Sequence, residues 1–535
     1  MCRNSPLSRL LDTYDDAAFD RFCAELVDAG FSPNGDHDQP CWAGPIRPSL
    51  RPYTDATRMR IQFYPGWPLR YAHVVVPGLR TGHASHGTIC LWAEDDPAQI
   101  NGLELQGLWD RLDEWAAAAR DGFNPEDRAL DAYLLYAERS DYRAELPLQD
   151  LIAGGTPGYT AEVFGTLQGR SLQIDTGNPP DSRNVGKPVL TGEFFLRDHL
   201  PDPPRTLDDV RAALGRRQRR NLDRGLAARS GTAFPQPSGG HDFIVLAWPR
   251  HDADHDAVVV SISGTGGALR TMVLAATPND ALALRRRSGA DADLLADKTV
   301  LIAGAGSIGG HVAVAVASSG VGTLYVHDSD YLTSTNVVRH VGTRHLVGYP
   351  KTDAVRVAVE HHAPWTTVTG HDELPYDPVR LRANITGVDL VIDCTGVLPL
   401  TAALADACGR RGVPLVVGAL FHHGALARVQ RQSDHDTPIA ARLANPRYFA
   451  LPPDSEAAGP AHSGFLELGC TAPVNNAPPT AVLAAAADTA SAAIDQLTAR
   501  RQRPDERITV LSPMCPPFDR IGIVDPGDAT TSESM

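Results

Sequence analysis

Residues 299–312 read TVLIAGAGSIGGHV. The apolar run Val300–Ala303 feeds straight into Gly304-x-Gly306-x-x-Gly309, and sequence of helical character follows. Small residues at such a turn let backbone N–H groups approach a phosphate at the start of a helix, which is the pattern of a dinucleotide-binding turn. Strand-like segments Val300–Ala303, Thr323–His327, Leu390–Ile392 and Leu415–Gly418 alternate with helical stretches. That alternation predicts a doubly wound parallel sheet, so the C-terminal fold class is Rossmann-like α/β.

Working outward, Asp328 stands at the end of the second strand, about 20 residues past the turn, where a carboxylate accepts from ribose hydroxyls. NAD and ATP both carry that ribose, so Asp328 does not choose between them. The following residues do. Asn336 and Arg339 are three apart, hence on one face if helical, and Lys351 follows Pro350 directly. A hydride-transfer site has little need of an extra Arg and Lys. A triphosphate attacked at its α-phosphorus has its charge neutralised by these two side chains.

The composition limits the alternatives. A chain of 535 residues is long for one core, so two to four domains are expected. The net charge of -15 argues against nucleic acid and anionic membrane surfaces as partners. No apolar run reaches the roughly 18 residues of a spanning helix, and the opening MCRNSPLSRLLDTYDDAAFD turns acidic too early for a secretory signal. The 8 cysteines contain no Cys-x-x-Cys pair. These features predict a reducing, cytoplasmic setting with neither zinc knuckle nor disulfide framework.

The expected organisation is a first unit over 1–125, a middle region over 126–290, an adenylation-type unit over 291–510 and a tail over 511–535. The first unit reads as α+β: a helix at Phe19–Ala29, strands at Met59–Tyr64 and Arg70–Val76, and a helix at Leu103–Arg120 with Leu105, Leu108, Leu112 and Trp115 on one face. The middle region reads as mixed α/β, with strands at Tyr159–Leu167, Asp242–Ala247 and Ala257–Ile262. Its basic run Arg216–Arg229 reads as a solvated helix face. A long polar loop is expected over Arg431–Asn476, ahead of an Ala-rich helix at Pro479–Arg500.

From about Asp297 to Arg500 the chain resembles the ThiF/MoeB-type adenylyltransferases, relatives of the ubiquitin-activating enzymes. The resemblance is carried by Gly304-x-Gly306-x-x-Gly309, Asp328-x-Asp330, Asn336-x-x-Arg339, Gly348-x-Pro350-Lys351 and Asp393-Cys394-Thr395. It implies ATP and Mg²⁺, with Asp328 on the ribose and Asn336, Arg339 and Lys351 on the phosphates. It also implies a homodimer, and as substrate the C-terminal carboxylate of a small protein. The family continues this strand as Asp-x-Thr-Asp-Asn, whereas here Gly396 and Val397 fill the last two places. The metal then falls to Asp393 or to Asp330.

Two cysteines stand where an acyl group would be carried. Cys470, in Gly469-Cys470-x-x-Pro473, resembles the crossover-loop cysteine of thioester-forming relatives. Cys90 lies in GHASHGTICLWAED, and the stretch around Phe19–Phe123 resembles a divergent bacterial ubiquitin-conjugating domain in which such a cysteine accepts the activated protein. His83 and His86 stand near the place of that family's His-Pro-Asn element. Cys394 and Cys408 read as core.

The expected function is ATP-dependent activation of a protein carboxylate, relayed from Cys470 to Cys90 and on to a protein target. The domain pairing resembles the activating–conjugating fusions of anti-phage CBASS systems, whose activated carboxyl belongs to a partner nucleotidyltransferase (a CD-NTase). Three other readings stay open: a sulfur-carrier-type adenylyltransferase without conjugation, a nucleotide-binding scaffold without turnover, and an NAD dehydrogenase.

Overall fold

The computed structural model describes residues 13–34, 40–79, 81, 84–85, 87–92, 96–121, 136, 138–177, 186–200, 204–249, 255–452 and 476–524. The chain divides into two compact units, Met1–Asp280 and Ala281–Met535. Among the described residues no helix is long and apolar enough to cross a membrane.

The first unit opens with a helix, Asp16–Asp28, whose first turn is capped by the Asp15 carboxylate accepting from Ala18 N–H. Strands β1 (Ser32–Asn34), β2 (Cys41–Pro45), β3 (Arg58–Gln62), β4 (His73–Val75), β5 (Ala84–Ser85) and β6 (Thr88–Ile89) follow. They form an antiparallel sheet in the order β1-β2-β3-β4-β6-β5. A second helix, Leu105–Asp121, closes this part. Alternation along β3 buries Met59 and Ile61, which form one core with Phe19, Phe22 and Leu26 of the first helix and with Leu108 and Leu112 of the second.

The middle region is mixed α/β, short helices set among strands that close on themselves. Strands β7 (Arg139–Leu146), β8 (Thr160–Gln168), β9 (Ser171–Thr176), β10 (Val189–Leu196), β11 (Phe243–Pro249), β12 (His255–Ser263) and β13 (Arg270–Pro278) form a closed barrel. Closure runs β10-β11-β12-β13-β7-β9-β8, with β8 returning to β10. Leu146, Val163, Phe194, Phe243 and Val259 belong to one of its cores. The basic run forms the helix Arg216–Ala227. Leu222 and Leu226 of that helix join Ile244, Leu246 and Val260 in a second core, while Arg216, Arg217, Arg219 and Arg220 face solvent.

The second unit holds an eight-stranded sheet: β14 (Thr299–Ala303), β15 (Thr323–His327), β16 (Thr367–His371), β17 (Leu390–Asp393), β18 (Leu415–Phe421), β19 (Leu426–Gln432), β20 (Glu506–Val510) and β21 (Gly522–Val524). Its order is β16-β15-β14-β17-β18-β19-β20-β21. The first five strands are parallel, and β19–β21 extend the sheet antiparallel. β14 is buried along almost its whole length, as a central parallel strand must be. The helices Ser307–Ser318 and Pro479–Leu497 share one core with it, through Val312, Val316, Ala485, Ala490 and Ala493.

Of the expected polar loop over Arg431–Asn476, residues 453–475 lie outside the described residues, and its first part is ordered structure rather than loop. Arg431 and Gln432 end β19, and a short helix, Ile439–Arg442, follows. The Arg431 guanidinium pairs with Asp436 at 2.9 Å and with Asp495 at 3.5 Å. Arg442, 3% exposed, donates to the carbonyls of Asp505 at 2.8 Å, Thr437 at 2.9 Å and Arg431, and pairs with Glu506 at 3.4 Å. Strand pairing and these buried ion pairs hold residues that read as solvated sequence.

Candidate functional site

Strand order reverses between β14 and β17: the chain proceeds from β14 to β15 and β16 on one side and returns through β17 and β18 on the other. In an open parallel sheet the ligand crevice forms beyond the carboxyl ends of the strands at such a reversal. A cavity of about 520 Å³ lies there. Gly304 leaves β14 at φ +88, and a Cβ on it would meet the Cys394–Thr395 peptide at 3.0–3.1 Å. At Gly309 a Cβ would stand 1.8 Å from the Gly304 carbonyl oxygen. These two glycines let the turn close against the end of β17. Gly306 caps the helix Ser307–Ser318 with no side-chain hydrogen bond, and a Cβ there would meet open space. A glycine turn that opens a helix toward a cavity is suited to an anionic phosphate.

The residues singled out by the sequence converge here. Gly304, Gly306, Asp328, Asp330, Asn336, Arg339 and Lys351 all line the cavity; Gly309 and Asp393 do not. Asp328 ends the second parallel strand, and its two oxygens accept from the backbone N–H groups of Ala305 and Asp330, each at 2.8 Å. It therefore shapes the turn as well as facing the cavity. Burial pushes its carboxyl up, against the pull of the Lys351 ammonium. Lys351 opens the helix Lys351–His362, is 7% exposed, and lies 2.7 Å from Asp330 Oδ2.

Asn336 and Arg339 do not sit on a helix. Residues 334–339 form successive turns, with the N–H groups of Arg339 and His340 donating to the Asn336 carbonyl at 2.9 and 3.0 Å. Asn336 Oδ1 accepts from Thr333 N–H at 3.1 Å and from its hydroxyl at 2.9 Å, so the side chain builds the turn.

Asp393 is placed differently from the metal-ligand expectation. It is fully buried; one oxygen accepts from Thr395 N–H and Oγ1 at 2.9 and 2.7 Å, the other from Thr401 Oγ1 at 2.5 Å. It organises the end of β17 rather than facing the cavity. Gly396, where the resembled family carries an acid, lines the cavity at φ +69. Among the described residues no group of three or more His, Cys, Asp or Glu side chains is placed to hold a metal. These residues do not fit a Mg²⁺ ion held by Asp393.

Sequence reasoning missed His340, Glu373 and Tyr376, which also line the cavity. His340 follows Arg339 directly, and that adjacency was the available signal. Burial holds its imidazole down at about 4, with the Lys351 and His311 side chains adding to the effect. The cavity is thus lined by Arg339 and Lys351 together with the carboxylates Asp328, Asp330 and Glu373, so its two cations share the space with three acids.

In the first unit, Cys90 follows β6 and is exposed. Burial of part of its surroundings raises its thiol, and the Arg111 guanidinium opposes the rise. Arg111 Nε donates to the Leu91 carbonyl at 2.7 Å, which fixes this cation beside the thiol. Cys408 is buried, as a core residue should be, with its thiol pushed up to about 12; Cys394, expected in the core, is half-buried and lines the cavity, and burial pushes its thiol far up. Cys470, His83 and His86 lie outside the described residues.

Comparison with known proteins places this geometry in a family context. Residues 279–500 match the ThiF family, and every cavity residue named above falls within that segment. The chain is 36% identical over 142 residues to "Uncharacterized protein y4oA" of Sinorhizobium fredii, covering 24% of each. It is 36% identical over 130 residues to the molybdopterin-synthase adenylyltransferase of Escherichia coli, covering 24% of this chain and 51% of that protein. The chain thus spans between a quarter and a half of the length of these relatives. Among solved structures, "E. coli MccB + ATP" aligns at 18% identity over 45% of this chain and 68% of that one, with a TM-score of 0.34.

Proposed function

We propose that the second unit activates a carboxylate with ATP. A carboxylate oxygen of the substrate attacks the α-phosphorus, the new acyl–phosphate bond forms, the bond to the bridging oxygen breaks, and pyrophosphate leaves. The observation that carries this reading is the meeting of Arg339, Lys351, Asp328 and the Gly304 turn on one cavity at the strand-order reversal. The loop N–H groups and the two cations neutralise charge on the departing pyrophosphate. Asp393 is turned away from the cavity and Gly396 has no carboxylate, and Asp330, the other candidate for a metal, is paired with Lys351.

The likeness to the molybdopterin-synthase adenylyltransferase supports adenylyl transfer, and the C-terminal carboxylate of a small protein is the substrate class by the resemblance of the motifs alone. In the fuller scheme Cys470 takes the acyl group as AMP leaves and its thiol proton is lost. Cys90 then takes it by thioester exchange and passes it to a protein target. The exposure of Cys90 and the nearby Arg111 support its part in this relay. A homodimer and an anti-phage role remain part of the proposal by resemblance alone.

The test is binding of ATP against NAD to the purified chain, followed by ATP–pyrophosphate exchange with candidate carboxyl partners. Displacement of ATP by NAD at equal concentration would overturn the reading. A second reading, nucleotide binding without turnover, is favoured by the burial of Asp393 and by Gly396. Tight ATP binding with no exchange across a library of C-terminal peptides would support it.

A further inference from the structure

The peptide unit around Ala305 is held from two sides. Its N–H donates to Asp328 Oδ2 at 2.8 Å, and its carbonyl accepts from His340 Nε2 at 2.7 Å. Ala305 is fully buried and stands between Gly304 and Gly306, which both line the cavity. Two side chains from separate segments therefore set the plane of the turn.

His340 is 7% exposed, and its other ring nitrogen, Nδ1, accepts from Gly342 N–H at 2.8 Å. A carbonyl only accepts and a backbone N–H only donates, so both ring nitrogens are assigned: the proton sits on Nε2 and the lone pair on Nδ1. With both nitrogens engaged, the ring is a neutral brace between residues 305 and 342. It has no capacity left to act as a base toward a substrate. Its own backbone belongs to the turn that carries Arg339, since the N–H groups of both residues end on the Asn336 carbonyl. Any shift of this turn away from the glycine loop must break the bond to Ala305.

We propose that His340 is a positioning residue that locks the Arg339-bearing turn to the glycine loop, so that guanidinium and loop N–H groups meet a triphosphate in one geometry. The inference rests on the ATP reading of the cavity given above. Asp328 supplies the matching restraint from the ribose side. The loop is then set by one acid and one histidine rather than by glycine geometry alone.

The experiment uses the full chain with ATP as probe, comparing wild type, Arg339→Ala, His340→Ala, His340→Gln and the Arg339→Ala/His340→Ala double variant. Calorimetry gives the ATP Kd, and hydrogen exchange of residues 304–310 is followed without nucleotide. Arg339→Ala is expected to weaken ATP by about 30-fold and His340→Ala by about tenfold. The double variant should be weaker than Arg339→Ala by clearly less than tenfold, because the part of the His340 effect that runs through Arg339 is already lost and only the part that runs through the loop remains. His340→Gln, whose amide keeps a donor and an acceptor, should stay within about threefold of wild type. Exchange at 304–310 should rise in His340→Ala and not in Arg339→Ala. Losses that multiply in the double variant, or an unchanged turn in His340→Ala, would overturn the proposal. A wild-type chain that binds no ATP overturns the reading of the cavity instead, and the exchange comparison then decides the brace by itself.

Discussion

Lys351 and Asp330 are joined twice: the ammonium lies 2.7 Å from Asp330 Oδ2, and the Lys351 N–H donates to the Asp330 carbonyl at 2.9 Å. A lysine at the first position of a helix opposes the helix dipole, and burial to 7% exposure adds a desolvation penalty. Asp330 offsets both. Asp330→Asn keeps the backbone bond and removes the charge, so the nucleotide-free chain is expected to lose about 1–3 kcal/mol. ATP supplies the missing negative charge, so the thermal shift on adding ATP should be larger in the variant than in wild type. Unfolding scans with and without ATP check this; an equal or smaller shift counts against it.

Acid should weaken the fold through His340. The unfolded side chain takes up a proton near pH 6.5, whereas burial holds the folded imidazole at about 4. Its contribution is complete above pH 6.5 and falls away as pH drops toward 4, by about 3 kcal/mol in all. The Lys351 and His311 side chains, which face the ring, act in the same direction. Burial also lowers His73, His241, His311 and His327, with the same sign. Asp328, raised by burial, opposes them. Urea midpoints at pH 7.5, 6 and 5 should decrease in that order, and less steeply in His340→Gln.

The cysteines should separate by reactivity. Iodoacetamide is expected to modify exposed Cys90 and Cys515 and to spare Cys394 and Cys408 in the folded chain. Because the Cys90 thiol is raised, its labelling should quicken by roughly tenfold or more between pH 7 and pH 9. Peptide mass spectrometry at fixed times reads the order. Early modification of Cys394 would contradict the placement of that residue.

Arg442→Ala should be severely destabilising, by about 3–5 kcal/mol, since it removes the cation directly paired with buried Glu506 and leaves only Arg428 nearby. Urea unfolding measures the loss directly. A cost below about 1 kcal/mol would show that the cluster is solvated rather than sealed.

The parallel half of the second unit was legible because its signals are local. A buried apolar strand, a glycine turn and an acid just past the next strand end occur within thirty residues, and the glycine turn and Asp328 both hang on strand termini. The barrel was not legible, because β7 pairs with β13 and β8 with β10, contacts between remote segments that no short window contains. The end of β19 was misread for another reason: Arg431 looks like loop chemistry until its acids at 436 and 495 are seen around it. His340 was overlooked because its meaning lies in a carbonyl 35 residues earlier.

The family match ends at residue 500, but the neutralisation of the Arg442 cluster does not. The counter-charges that quiet Arg442 come from Asp505 and Glu506, at the threshold of β20. A portable version of this nucleotide fold trimmed at the edge of the match would lose both the acids that neutralise Arg442 and the strand paired with β19, so the smallest autonomous piece must run through β20.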